Sequence, residues 1–236
     1  MAERVAFTKS VTLDWLSAAA EFAVAGCSRK AAGDKLNGII GQSLTNQVNI
    51  KQTRIILLKA WFDSEPALRN KALESYHRVS TNEKAAIHWA LLMSEYPIFF
   101  DLCESIGYMM TFKDTVTLAQ IKEQVYTKWG ERSTLGISLP KNIKTLRELG
   151  ALTTHERVGT YQRRQHIIHD HSVVWMLLYA TLRSGRQGYL PWEAFVSHPA
   201  LFPFVIDCVA EADMASLPLI MMDRYNGQTV FRLNGR

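Results

Sequence analysis

Residues 141–164 read KNIKTLRELG ALTTHERVGT YQRR, and this stretch decides both the predicted fold and the predicted interaction surface. It holds six basic side chains against two acidic ones, a net charge of +4 in a chain whose formal net charge is +5. Its first half has the periodicity of a helix that ends at Gly150, and its second half has two β-like runs joined at residues 158–160. A basic helix followed by a basic β-hairpin is typical of winged helices that bind duplex DNA.

The helix is predicted to begin near Pro140, because proline suits the first turn of a helix. Ile143, Leu146 and Leu149 form one apolar stripe, so the other side chains are expected to point outward. Lysine and arginine pair with phosphates, and arginine and asparagine also read base edges. The candidate DNA-binding residues are therefore Lys141, Asn142, Lys144, Thr145 and Arg147 on the helix, and Arg157, Tyr161, Arg163 and Arg164 on the hairpin. Alternation along a strand places Arg163 and Arg164 on opposite faces.

The residues before this stretch complete the order of a winged helix. Thr117 and Gln120 fit a capping box, and the helix that they start ends at Gly130. Upstream, residues 1–112 are predicted to be all helical, with Thr12 and Asn82 as caps. Residues 50–62 are predicted to form a helix with Ile55 on its apolar face. On its opposite face, Lys51 and Arg54 are a second candidate phosphate-binding surface, although a solvated charged face explains them equally well.

The C-terminal part repeats the winged-helix order more weakly. Residues 203–216 are predicted to be a helix, and Asn226-Gly227 between two apolar runs predicts a hairpin. Asp207, Glu211 and Asp213 on that helix repel phosphate, so a protein is the better partner for this unit. The chain is thus predicted to be mainly α, with a helical N-terminal domain (1–112), a winged-helix domain (113–184) and C-terminal helices with a β-hairpin (185–236).

Composition narrows the class of protein. Hydrophobic residues make up 47% of the chain, enough to fill a core. The three cysteines, Cys27, Cys103 and Cys208, lie far apart in apolar, helix-like contexts, which predicts reduced, buried thiols in a cytoplasmic protein. No apolar run approaches the ~20 residues of a membrane span, and the N-terminus lacks a signal-peptide core. We therefore expect no membrane association.

Nothing in the sequence predicts catalysis, a cofactor or a metal. Nucleotide-binding glycine loops, the H-E-x-x-H motif and the G-x-S-x-G motif are all missing. His166, His169 and His171 cluster with Asp170, but their spacing matches no recognised ligand geometry. Histidines at a strand-to-helix junction that contact backbone are the simpler interpretation.

The order of features resembles the BrxA family of bacterial BREX phage-defence systems over roughly residues 5–170. The resemblance rests on Phe7-Thr8-Lys9, Thr53-Arg54-Ile55, the apolar helix from Tyr96 to Tyr108, the helix from Leu118 to Trp129, and Leu146-Arg-Glu-Leu-Gly150. It implies a NusB-like N-terminal part and a non-enzymatic accessory protein that binds double-stranded DNA beside other phage-defence proteins. It also points to Arg54, Lys144 and Arg147 as contacts. The region after about residue 185 is longer than in that family.

The sequence therefore favours a non-enzymatic protein that binds duplex DNA mainly through phosphates. Three alternatives stay open. The chain is a protein–protein adaptor that uses a winged helix, a sequence-specific transcriptional regulator, or a metal-dependent enzyme that uses the histidine cluster.

Overall fold

The N-terminal part is built from helices whose ends follow local capping rules. The computed structural model describes residues 7–185, 187–214, 219–225 and 227–234. The helices are α1 (Leu13–Val24), α2 (Arg29–Gly41), α3 (Gln47–Trp61), α4 (Pro66–Ser75), α5 (Thr81–Glu95) and α6 (Pro97–Met110). The Thr12 side chain accepts a hydrogen bond from the Trp15 N–H, which confirms Thr12 as a cap. The prediction of Asn82 as a cap is wrong, because Ser80 and Glu83 form a capping box two residues earlier.

A helix–strand–helix–helix–hairpin order follows, beginning with α6. The new elements are β1 (Thr115–Thr117), α7 (Leu118–Trp129), α8 (Ser133–Glu148), β2 (Leu152–Thr154) and β3 (Thr160–Arg163). The three strands form an antiparallel sheet in the order β1-β3-β2. The capping box of Thr117 and Gln120 and the helix end at Gly130 are confirmed. The hairpin of β2 and β3 is confirmed too, although its strands are shorter than predicted.

Helix α8 is longer than predicted and contains Pro140 in its interior. It begins at Ser133, whereas Gly136 and Pro140 predicted a loop followed by a new helix start. Proline inside a helix removes one backbone hydrogen bond, so tertiary contacts must offset that loss. Leu135 and Leu139 are fully buried in the turns that lead up to Pro140, and their packing holds this part of α8.

The C-terminal part adds short strands and helices around one long apolar helix. The elements are β4 (His166–Ile168), α9 (His171–Ser184), β5 (Leu190–Pro191), α10 (Trp192–Val196), a 3₁₀ helix (Pro199–Leu201), β6 (Phe204–Ile206), α11 (Glu211–Met214), β7 (Ile220–Tyr225) and β8 (Gln228–Leu233). Strand β4 pairs with β6 in parallel. The predicted helix over residues 203–216 is therefore wrong at its start, because β6 occupies residues 204–206. Asn226 lies outside the described residues, but β7 and β8 form the predicted hairpin.

The sheet of the C-terminal hairpin has the strand order β5-β8-β7. This matches the order β1-β3-β2, since in each case the first strand pairs with the last one. Each sheet also follows a long apolar helix, α6 in the first case and α9 in the second. The chain therefore contains two units of the same sheet topology.

One apolar core runs through all three predicted domain ranges. Helix α9 packs against α4 and α5, although it belongs to the predicted middle domain. Gly107 of α6 lies so close to Pro199 that an added Cβ would meet its carbonyl oxygen at 1.9 Å. The three domain boundaries therefore stay a prediction, namely that each of the three ranges folds by itself.

Two further predictions concern the burial of the cysteines and the absence of a membrane span. All three cysteines are free: Cys103 is buried, Cys27 is half-buried and Cys208 is exposed. The prediction of burial is therefore wrong for Cys208. None of the described helices is both long and apolar enough to cross a lipid bilayer.

Candidate nucleic-acid interface

Helix α8 presents a narrow basic stripe. Ile143, Leu146 and Leu149 are buried, as their spacing predicted. Lys144 and Arg147 are exposed one turn apart, and Lys141 is half-buried beside them. The stripe is narrow because residues on both flanks of the helix are also buried. The helix can therefore offer cations to a ligand along a single line.

Two predicted contact residues of α8 are not on the surface. Asn142 and Thr145 are both 0% exposed, so the prediction that they point outward is wrong. The Val11 N–H donates to Thr145 Oγ1 at 2.9 Å, which places the segment before α1 against this flank of α8. Asn142 has no hydrogen-bond partner for its side-chain nitrogen or oxygen among the described residues. The periodicity of α8 could not reveal this covering segment, which comes from the other end of the described chain.

Tyr161 is buried, so its predicted place among the DNA-contacting side chains of the hairpin is wrong. It lies in β3 opposite Val116 and Thr154 and is only 8% exposed, because it faces the same core as Val116. Arg157, Arg163 and Arg164 are exposed, as predicted. The hairpin therefore offers three arginines and no aromatic side chain from this position.

A basic cleft joins α8 to the N-terminal part of the chain. It has a volume of about 430 Å³, and its lining includes three lysines, Lys9, Lys141 and Lys144, together with the carboxylate of Asp14. Lys9 Nζ donates to Asn49 Oδ1 at 2.7 Å. Partial burial lowers the pKa of Lys9, and the nearby charge of Lys141 lowers it further. Neighbouring ammonium groups repel one another, so a bound anion would stabilise this cluster.

Helix α3 contributes less than its sequence suggested. Lys51 is exposed, and Arg54 is half-buried with its Nε enclosed and without a hydrogen-bond partner. Lys59 already has partners within the chain, because its Nζ donates to the Glu95 carbonyl at 2.8 Å and lies over the Tyr96 ring. Ile55 is 45% exposed, so its predicted place on the buried face is wrong.

The cations of α8 and the hairpin form no ion pairs among the described residues, although Asp14 lines the basic cleft and Glu148 follows Arg147 on α8. Within the described part of the chain, no ion pair involves Lys141, Lys144, Arg147, Arg157, Arg163 or Arg164. By contrast, Arg29 pairs with Asp63 at 2.6 Å, and Lys128 pairs with Asp101 at 2.6 Å. Cations without an ion-pair partner in the chain are available to pair with an external anion.

The three clustered histidines each have a different neighbour. His166 Nε2 lies 2.8 Å from the Gly150 carbonyl oxygen. His169 lies near Asp207, and His171 lies near Asp213. The structure therefore distributes these side chains instead of directing them at one point.

A second cleft, of about 970 Å³, lies where α6 and α9 meet the 3₁₀ helix. Asp101 and Glu104 line it together with Lys128, which pairs with both. His198 also lines it, and burial lowers its pKa despite the charge of Glu104. With its carboxylates paired to its lysine, this cleft is less suited to a phosphate than the basic cleft.

Comparisons with known proteins identify no relative. No protein-family model matches the chain, and no curated protein or solved structure matches it.

Proposed function

We propose that this chain is a non-enzymatic protein that binds double-stranded DNA mainly through backbone phosphates. The observation that carries the proposal is the basic cleft, where Lys9, Lys141 and Lys144 converge from two distant parts of the chain. Arg147 extends the same line of charge along α8. Phosphate contacts from clustered, unpaired cations are the main source of non-specific DNA affinity.

The order of elements supports assigning residues 113–184 as a winged helix. In that assignment α8 is the recognition helix and the hairpin of β2 and β3 is the wing. The equal strand order of the C-terminal sheet supports a second winged-helix-like unit. The acidic α11 in this second unit makes a protein its better partner. A NusB-like N-terminal part belongs to the same proposal and rests on the resemblance to the BrxA family.

The burial of Asn142 and Thr145 argues for phosphate contacts over base readout. Asparagine pairs with adenine through two hydrogen bonds, and a fully buried side chain cannot reach a base edge. This disfavours a sequence-specific regulator that uses α8 in the described arrangement. A role beside other phage-defence proteins follows from the resemblance, and a cytoplasmic location, proposed from the spacing of the cysteines, completes the proposal.

A salt series on the full chain tests the proposal. Fluorescence anisotropy with unrelated duplexes should give similar affinities, and log K should fall with log salt by roughly 0.9 per neutralised phosphate. For the three lysines of the cleft the slope should reach roughly −3 or steeper. A Lys71→Ala variant is the control, because Lys71 already pairs with Glu74. A slope near zero, or binding to one duplex alone, would contradict the proposal.

A further inference from the structure

The parallel pairing of β4 and β6 brings two distant residues side by side. Ile168 and Ile206 are partners in register, so His169 and Asp207 follow at the carboxyl ends of neighbouring strands. The Asp207 N–H donates to the Ile168 carbonyl at 3.0 Å, which continues the ladder by one residue. His169 Nδ1 lies 3.6 Å from Asp207 Oδ2. An imidazole and a carboxylate, two groups that commonly ligate metals, thus lie at one edge of a small sheet.

Cys208 adds a third side chain of the same kind. Its backbone has a φ of +59°, a left-handed conformation that few residues other than glycine adopt. The chain turns sharply there, and one ligand atom from each of His169, Asp207 and Cys208 lies within 4.8 Å of the others. All three residues are exposed, so a small cation can reach them from solvent.

The side chain of Glu83 fixes the backbone at His169. Glu83 Oε1 accepts hydrogen bonds from the His169 N–H at 3.0 Å and the Asp170 N–H at 2.9 Å. Glu83 is itself only 7% exposed and caps α5. Hydrogen bonds therefore fix the backbone at the ligand-bearing ends of β4 and β6.

We propose that His169, Asp207 and Cys208 form a surface site for a divalent transition metal of the zinc class. Imidazole and thiolate select zinc and its neighbours over magnesium and calcium, which prefer oxygen ligands. Three protein ligands leave the fourth tetrahedral position to water. Binding breaks the Cys208 S–H bond, forms a sulfur–metal bond and releases the proton to solvent.

The proposed site differs from the cluster of His166, His169, Asp170 and His171 that the sequence suggests. It keeps His169 and omits His166 and His171, whose nearest polar neighbours lie elsewhere. The two added ligands come from the chain after β6, which only the strand pairing brings close. The site is also independent of the proposed DNA interface, because none of its residues belongs to the basic cleft.

Cobalt titration of the tag-free, chelator-treated full chain tests this site. We expect one Co²⁺ per chain and a thiolate-to-cobalt charge-transfer band, with Zn²⁺ displacing the cobalt. Elemental analysis after dialysis against Zn²⁺ should likewise give one equivalent. Absence of binding by both measurements would overturn the proposal.

Single variants identify the ligands. Cys208→Ser should abolish the charge-transfer band, and His169→Ala and Asp207→Asn should each weaken binding at least about tenfold. Cys27→Ser is the matched control, because Cys27 is a half-buried thiol distant in sequence, and it should keep the band. Circular dichroism of each variant checks folding. A band that survives in Cys208→Ser, or is lost in a folded Cys27→Ser, would assign the metal to other residues and overturn the site.

Discussion

At the scale of single residues, Gly107 marks the tightest contact between α6 and the C-terminal part. A Cβ at this position would lie 1.9 Å from the backbone oxygen of Pro199, which cannot move without shifting the 3₁₀ helix. We expect Gly107→Ala to lower the free energy of unfolding by about 3 kcal/mol, as a strongly overpacked site does. Urea unfolding measures this loss.

Gly38 provides the matched control for that substitution. It lies in α2, and nothing stands within 4 Å of an added Cβ. Gly38→Ala should therefore raise the free energy of unfolding by about 0.5–1 kcal/mol, because alanine favours helix. Equal effects of the two substitutions would show that α6 and the 3₁₀ helix are not in such close contact.

His88 predicts how stability depends on pH. It is fully buried, and Trp61 Nε1 donates to its Nδ1 at 3.2 Å. Burial, with a smaller contribution from Lys84, lowers the pKa of His88 to about 3 from an ordinary 6.5. The unfolded chain therefore binds a proton first on acidification, so stability is lost as the pH falls from 6.5 toward 3.

His88→Gln separates this effect from other acid-sensitive groups. The variant keeps an acceptor near Trp61 but removes the titration, so its stability should fall less steeply between pH 6.5 and 3 than that of the natural chain. Glu83, whose lowered pKa gives the same sign, still contributes to both curves. Parallel curves from urea unfolding at several pH values would contradict a neutral, buried His88.

At the scale of elements, α8 should contribute more DNA affinity than α3. Lys141 and Lys144 line the basic cleft, whereas Arg54 is partly enclosed. We expect Lys141→Ala with Lys144→Ala to reduce the salt slope by about 2. The matched pair Lys51→Ala with Arg54→Ala should cost less affinity in the same anisotropy assay. The opposite ranking would move the interface to α3.

The hairpin of β2 and β3 makes a separate contribution in the proposed interface. Arg157 and Arg163 are exposed and belong to none of the ion pairs among the described residues. Arg157→Ala with Arg163→Ala should weaken binding to unrelated duplexes by about 1 kcal/mol or more. Thermal stability should change little, since surface substitutions typically stay within about ±0.5 kcal/mol. Full affinity in the double variant would exclude the hairpin from the interface.

At the scale of the whole molecule, the continuous core predicts cooperative unfolding. Buried residues from all three predicted domain ranges belong to one cluster, and α9 packs on α5 across a predicted boundary. We expect a single urea transition, with tryptophan fluorescence and far-ultraviolet circular dichroism coinciding. Two resolved transitions would instead support separate domains at the predicted boundaries.

Features that depend on only a few neighbouring residues could be predicted from the sequence. Caps such as Thr12 and the pair Thr117 and Gln120 satisfy backbone groups one turn away, so their pattern predicts helix starts. The Asn226-Gly227 pattern that predicts a hairpin and the accumulation of charge in residues 141–164 are equally local. Mainly helical architecture followed from the sum of such patterns.

Which of these side chains are exposed to solvent and which contact one another depends on tertiary packing. The buried Thr145 accepts a hydrogen bond from Val11, and Lys9 joins Lys141 in one cleft, although more than half of the chain separates the members of each pair. His169 meets Cys208 for the same reason, because parallel strand pairing joins residues that no local spacing relates. Helical periodicity shows which face of a segment packs on the core, but it does not show whether a distant segment packs on the opposite face.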